Sequence, residues 1–249
     1  MIDSIPLWLP VAFLLVAFVY AAAGFGGGSA YLAVLAMTAI PFQALPEIAL
    51  VCNVVVTLGG VWHFYRGGHL SVKRVLPFFV LSIPMAFIGG QIELGQQAFY
   101  VLLGGALVAA GVWMLIPRRG GAVRPLSSRQ EWAFGLVLGA VLGLLSGMTG
   151  IGGGVYLAPL LLLTGWTTPK QTAATAALFI MVNSAAGLAG HLVKSVHIGW
   201  TIVPLAAAAL IGGQIGSRLG SYRLSGVAVQ RLLAAIIIVV GVRSLWKAI

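Results

Sequence analysis

Ten apolar runs occupy most of this sequence, and they restrict it to one kind of environment. They fall at 6–23, 28–40, 44–63, 75–92 and 97–116, then at 131–148, 153–164, 169–190, 199–216 and 229–246. A helix that crosses a bilayer needs about 20 apolar residues, within a range of roughly 17–25. Only the runs 28–40 and 153–164 are too short to cross upright. Charged residues make up 7% of the chain and hydrophobic ones 60%, whereas a soluble domain carries about 25% charged residues. A soluble enzyme, a disordered tail and a secreted disulfide scaffold are excluded. Cys52 is the single cysteine, so neither an internal disulfide nor a thiolate metal site can form. Residues Met1 to Pro6 carry no basic side chain and the first run continues far past Tyr20, so it reads as a membrane segment and not a signal peptide. The expected fold is an all-α polytopic membrane protein embedded in the lipid bilayer.

The net charge of +10 does not imply nucleic acid as a partner, because that would need basic residues clustered on one exposed domain. Loops on the cytoplasmic side of a membrane protein carry the same excess. The one extended polar stretch, 117–130, contains Arg118, Arg119, Arg124 and Arg129 and reads as a cytoplasmic linker. Ser128, with Glu131 three residues on, fits a capping box opening the following helix.

On either side of this linker the chain repeats itself, giving a first repeat at 1–116 and a second at 131–249. Gly24-Phe-Gly-Gly-Gly28 returns as Gly150-Ile-Gly-Gly-Gly154, each after a long apolar run. Asn53 with Gly60 returns as Asn183 with Gly190, and Gly89-Gly-Gln-Ile92 returns unchanged as Gly212-Gly-Gln-Ile215. Five segments per half is an odd number, so the second repeat is expected to be inverted relative to the first. With ten crossings and an outside N-terminus, eleven of the fourteen basic residues fall on the inward side, and Lys194, Arg243 and Lys247 fall outside. Counting each glycine-broken pair as one span gives eight crossings and puts the basic 217–228 loop outside, against that bias.

Glycine costs a helix up to about 1 kcal/mol relative to alanine, so each cluster is expected to break its helix near the midplane. Irregular backbone survives there only where it is buried in protein or lines a cavity. A short helix should restart near Ser29 and near Val155. Its first N–H groups lack intrahelical partners and carry the positive end of the helix dipole. Two such ends converging from inverted repeats make a site for a small anion. The candidate binding residues are therefore Gly26, Gly27, Gly28 and Ser29 with Gly152, Gly153, Gly154 and Val155. Asn53, Asn183, Thr149 and Thr175 are added as polar groups within reach. The alternative is that the glycines only allow close helix packing and the amides only bond neighbouring helices. Ser29 stands where a dinucleotide fingerprint needs its third glycine, and no Lys-Ser/Thr follows for a phosphate loop.

Other polar residues carry less. Gln91 and Gln214 are placed near segment ends, as are the histidines and the acids Asp3, Glu47, Glu93 and Glu131. Acids at segment ends argue against a mid-membrane carboxylate proton relay, for which Glu47 is the best candidate. No residue set suggests catalysis, a metal or a cofactor.

The glycine motifs resemble those of the TauE/SafE family of sulfite exporters and anion permeases of bacterial inner membranes. Gly24-Phe-Gly-Gly-Gly28 is similar to the first-half motif, and Gly150-Ile-Gly-Gly-Gly-Val-Tyr-Leu-Ala-Pro159 to the fuller second-half version. Ala33 stands in the first half where Pro159 stands in the second. The resemblance implies transport of a small inorganic or organosulfur anion such as sulfite or a sulfonate, by a secondary carrier in the inner membrane. An anion channel of similar architecture is the alternative, and a homodimer is compatible with either.

Overall fold

The computed structural model describes residues 6–70, 72–115, 128–163, 167–194, 199–200, 202–222, 234–235, 238–239 and 241–248. The elements are α1 (Trp8–Ala22), α2 (Gly28–Leu35), α3 (Ala44–Arg66), α4 (Val72–Gln91), α5 (Gln96–Leu115), α6 (Ser128–Thr149), α7 (Gly154–Leu163), α8 (Pro169–Lys194) and α9 (Ile202–Tyr222). Residues 234–235, 238–239 and 241–246 are helical within the tenth predicted run. Residues 116–127, which include most of the 117–130 linker, lie outside the described residues. Every described element is helical, as the composition requires.

Among the described residues four helices are long and apolar enough to cross a membrane, over Ala44–Arg66, Trp132–Thr149, Lys170–Lys194 and Ile202–Ser221. Trp8–Ala22, Leu76–Gln91 and Gln96–Ala109 are apolar but shorter. Outward faces remain apolar, with Val11, Leu15, Val80, Val137, Val141, Ile211 and Ile215 all exposed. A coat of that kind suits lipid tails, not water.

Several helices run past their apolar cores. α3 ends at Arg66, α8 at Lys194 and α9 at Tyr222, beyond the predicted 63, 190 and 216. Basic groups in the last turns of α3 and α8 are favoured by the negative end of the helix dipole. Serines in the α9 extension bond back to the helix, Ser217 to the Gln214 carbonyl and Ser221 to that of Arg218. The longer α9 moves Gln214 away from the helix end where the sequence placed it. Its amide instead packs in the space left by Gly59 and lies 3.3 Å from His63 Nε2.

Lipid supplies no hydrophobic drive between helices, so tight association needs small residues that let backbones approach. Two pairs of helices use this device in the same way. Gly212, Gly216 and Gly220 on α9 face the carbonyl oxygens of Leu14, Phe18 and Ala22 on α1. Gly139, Gly143 and Gly147 on α6 face those of Phe78, Ser82 and Ala86 on α4. In each row both partners advance by four residues per step, so α1 runs parallel to α9 and α4 parallel to α6. Gly213 and Gly59 pair with Val56 and Gln214 in ascending order, which makes α3 parallel to α9. α3 and α8 run antiparallel, with Gly60 against Ala177 and Leu50 against Gly187. α4 runs with α8, since Ala86 lies by Gly187, Gly90 by His191 and Glu93 by Lys194, so α1, α3 and α9 point one way and α4, α6 and α8 the other.

Candidate functional site

Each glycine cluster does break the chain, between α1 and α2 and between α6 and α7, and each is followed by a short helix of eight or ten residues. Gly27 caps α2 with φ 96°, and Gly153 precedes α7 with φ 73°, backbone conformations that disfavour side chains. Tyr31 is the first α2 residue whose N–H reaches a backbone carbonyl, that of Gly27 at 2.9 Å. The N–H groups of Gly28, Ser29 and Ala30 sit ahead of it at the dipole's positive end, and all three residues are buried.

The two breaks are brought together by α3 and α8, which cross between them. A Cβ on Gly24 would lie 2.5 Å from Ala173 Cβ on α8, and one on Gly150 would lie 2.6 Å from Pro46 Cα on α3. Further along both helices, a Cβ on Gly26 would meet Asn53 Oδ1 at 2.5 Å and Ile180 Cγ2 at 3.0 Å. A Cβ on Gly152 would meet Ile180 Cγ2 at 2.7 Å and Asn53 Nδ2 at 2.9 Å. Pro46 and Asn53 are seven residues apart, as are Ala173 and Ile180, which is the spacing that keeps two residues on one face of a helix. Ile180 therefore occupies on α8 the place that Asn53 occupies on α3.

Asn53 links the breaks directly. Its Nδ2 donates to the carbonyls of Gly150 at 3.3 Å and Ile151 at 3.2 Å. Those carbonyls can only accept, so the amide orientation is fixed by its partners. Its Oδ1 then faces Gly26 and Gly28 and is buried with no hydrogen-bond partner. Asn183 is placed differently, since its Nδ2 donates at 2.9 Å to Phe179 of its own helix. Consecutive helical residues point about 100° apart, and it is the neighbour Ser184 whose Oγ comes 3.0 Å from a Cβ on Gly152.

The remaining predicted residues divide between the breaks and their own helices. Gly28 abuts Asn53 and the Ile151 carbonyl, and Gly154 abuts Ile180 and the Ala176 carbonyl. Ser29 Oγ donates to Tyr20 at 3.2 Å. Thr149 Oγ1 donates to the Leu145 carbonyl one turn back, at 2.6 Å. Val155 and Thr175 are buried.

Buried polar atoms almost always find partners, yet several beside the breaks have none. They are the hydroxyls of Tyr31, Ser146 and Ser184 and the Oδ1 of Asn53; Tyr156 OH and Asn183 Oδ1 are likewise buried without a partner. Tyr31 OH lies 3.0 Å from a Cβ on Gly27, and Ser146 Cβ lies 3.3 Å from one on Gly153. Ser146 and Ser184 are missing from the predicted set. Ser146 stands four residues before Gly150, one helical turn, and that spacing could have drawn attention to it. Neutral hydroxyls and helix-end N–H groups around two breaks can donate hydrogen bonds to an anion without an opposing charge.

Comparison with known proteins places this geometry in context. Residues 9–244 match the family model described as "Sulfite exporter TauE/SafE". The chain is 34% identical over 250 residues to "Probable membrane transporter protein y4hK" of Sinorhizobium fredii (strain NBRC 101917 / NGR234), covering 98% of this chain and 100% of that one. No solved structure matches the chain.

Proposed function

The chain belongs to the sulfite exporter TauE/SafE family, and from that premise we propose that it is a membrane transporter, a secondary carrier for a small sulfur-containing anion such as sulfite or an organosulfonate. The observation that carries the proposal is the meeting of the two glycine breaks at Asn53, among buried hydroxyls that have no protein partner. A bound anion would satisfy those hydroxyls, together with the first N–H groups of α2. Asn53 holds the second break in place through its amide, and Ile180 closes the opposite side of the site. Transport then proceeds by alternating access, with one half rocking against the other about this site. The carrier sits in the inner membrane, with the 117–130 linker on the cytoplasmic side.

Inverted halves belong to the same reading. Support comes from helix direction, since α1 and α6, α3 and α8, and α4 and α9 are corresponding pairs that run oppositely. Single cysteines at Gly68 and Ser195, in a Cys52→Ala background, should label from opposite sides of the membrane with an impermeant thiol reagent. Labelling of both from one side would remove the inverted-repeat mechanism.

Purified protein in liposomes tests the function itself. Offered sulfite, thiosulfate, sulfonates, sulfate and acetate in turn, it should transport one or more of the sulfur anions faster than acetate and exchange labelled for unlabelled anion across the membrane. Conductance without exchange would point to a channel, and no movement of any sulfur anion would overturn the assignment.

A further inference from the structure

A cavity of about 290 Å³ opens at the end of the bundle where α3 begins and α4, α6 and α8 finish. Its titratable lining groups are Glu47 on α3, Glu93 in the α4–α5 connection, and His191 and Lys194 on α8. α6 contributes Met148 and α5 contributes Phe99, neither of them titratable. At the rim, Lys194 Nζ lies 3.2 Å from Glu93 Oε1, and both side chains reach solvent. Deeper in, His191 Nε2 donates to the Gly147 carbonyl at 3.0 Å. Glu47 is only 1% exposed, unlike the solvated Glu93.

This cavity adjoins the second glycine break. Pro46, which precedes Glu47, abuts Gly150, and Met148 stands two residues before that glycine. A carboxyl so enclosed meets water only by way of the cavity. An ionisable group of this kind within a spanning helix is costly and commonly marks a proton pathway.

We propose that Glu47 is the proton-carrying group of the transport cycle, coupling anion movement to a proton gradient. This inference rests on the carrier reading above. With the cavity open, a hydronium ion in it gives a proton to a Glu47 oxygen and leaves water. Once the halves have rocked and a path opens on the other side, the O–H bond breaks and the proton returns to water there. One proton crosses per cycle, with no oxidant or reductant.

The test uses full-length protein in liposomes with radiolabelled sulfite. Wild type should exchange sulfite at equal pH and accumulate it under a gradient of one pH unit, up to about tenfold for one coupled proton. Glu47→Gln should slow exchange by less than tenfold while losing gradient-driven accumulation, and Glu47→Asp should restore part of it. Wild-type accumulation in Glu47→Gln overturns the proposal, as does a wild type that exchanges but ignores a gradient of either sign. Loss of exchange in both Gln and Asp variants assigns Glu47 to packing and also overturns it. If wild type itself exchanges no sulfite, the carrier reading for this anion fails and the proton role fails with it.

Discussion

Leucine at Gly27 or at Gly153 should reduce transport to background while leaving a protein that still inserts and melts cooperatively. Both glycines sit at positive φ, 96° and 73°, and a residue with a Cβ pays roughly 1–2 kcal/mol to remain there. Space adds a second penalty. A Cβ at Gly27 would lie 2.9 Å from Tyr31 Cζ and one at Gly153 2.8 Å from Phe179 Cε1, so the longer leucine must displace a ring or the break itself. Relief comes if the break moves, and moving it disperses the N–H groups and hydroxyls of the proposed anion site. The helix bundle is held elsewhere, by the glycine rows of α1 with α9 and of α4 with α6, so insertion should survive. Gly105, with nothing within 4 Å of an added Cβ, supplies the control, and Gly105→Ala should transport normally. Uptake into liposomes, beside a melting curve of each purified variant, checks both parts.

The two asparagines should separate sharply under the same substitution. Asn53→Leu removes two hydrogen bonds that tie α3 to the second break and leaves two buried carbonyls bare, at about 1–3 kcal/mol each. For a chain this size each kcal/mol lowers the melting temperature by about 2–4 °C, so the protein should melt several degrees lower. Transport should fall at least tenfold, since the same bonds position the break. Asn183→Leu loses only a bond to the Phe179 carbonyl, four residues back on its own helix, which ties α8 to no other element. Its transport should stay within about threefold of wild type. Equal damage from the two substitutions would mean that the second half uses Asn183 as the first uses Asn53.

That asymmetry marks how far the sequence could be read. The broken helices were legible because clustered glycine leaves few other outcomes in an apolar chain, and the short helices after Gly27 and Gly153 start within a residue of their expected places. Matching Asn53 to Asn183 relied on letter identity, whereas packing pairs Pro46 with Ala173 and Asn53 with Ile180, a relation between unlike residues that no comparison of letters exposes. Ser146 and Ser184 escaped notice because serine is common in packed membrane helices, and only the fold turns these two toward the breaks. Gln214 was misplaced because apolarity ends near residue 216 while hydrogen bonding carries α9 on to Tyr222. Glu47, near a helix start, looks like an interfacial acid in sequence, and only the fold encloses it beside a cavity lined from α4, α6 and α8.

Calorimetric titration of sulfite and sulfonates into the purified protein tests the central claim most directly, because it asks whether an anion binds at the joined glycine breaks without requiring transport. Wild type should give saturable binding of at least one of these anions, and Gly105→Ala should match it. Gly27→Leu and Gly153→Leu, still melting cooperatively, should bind at least tenfold more weakly. Wild-type affinity in both leucine variants would place the anion elsewhere in the molecule and contradict the account.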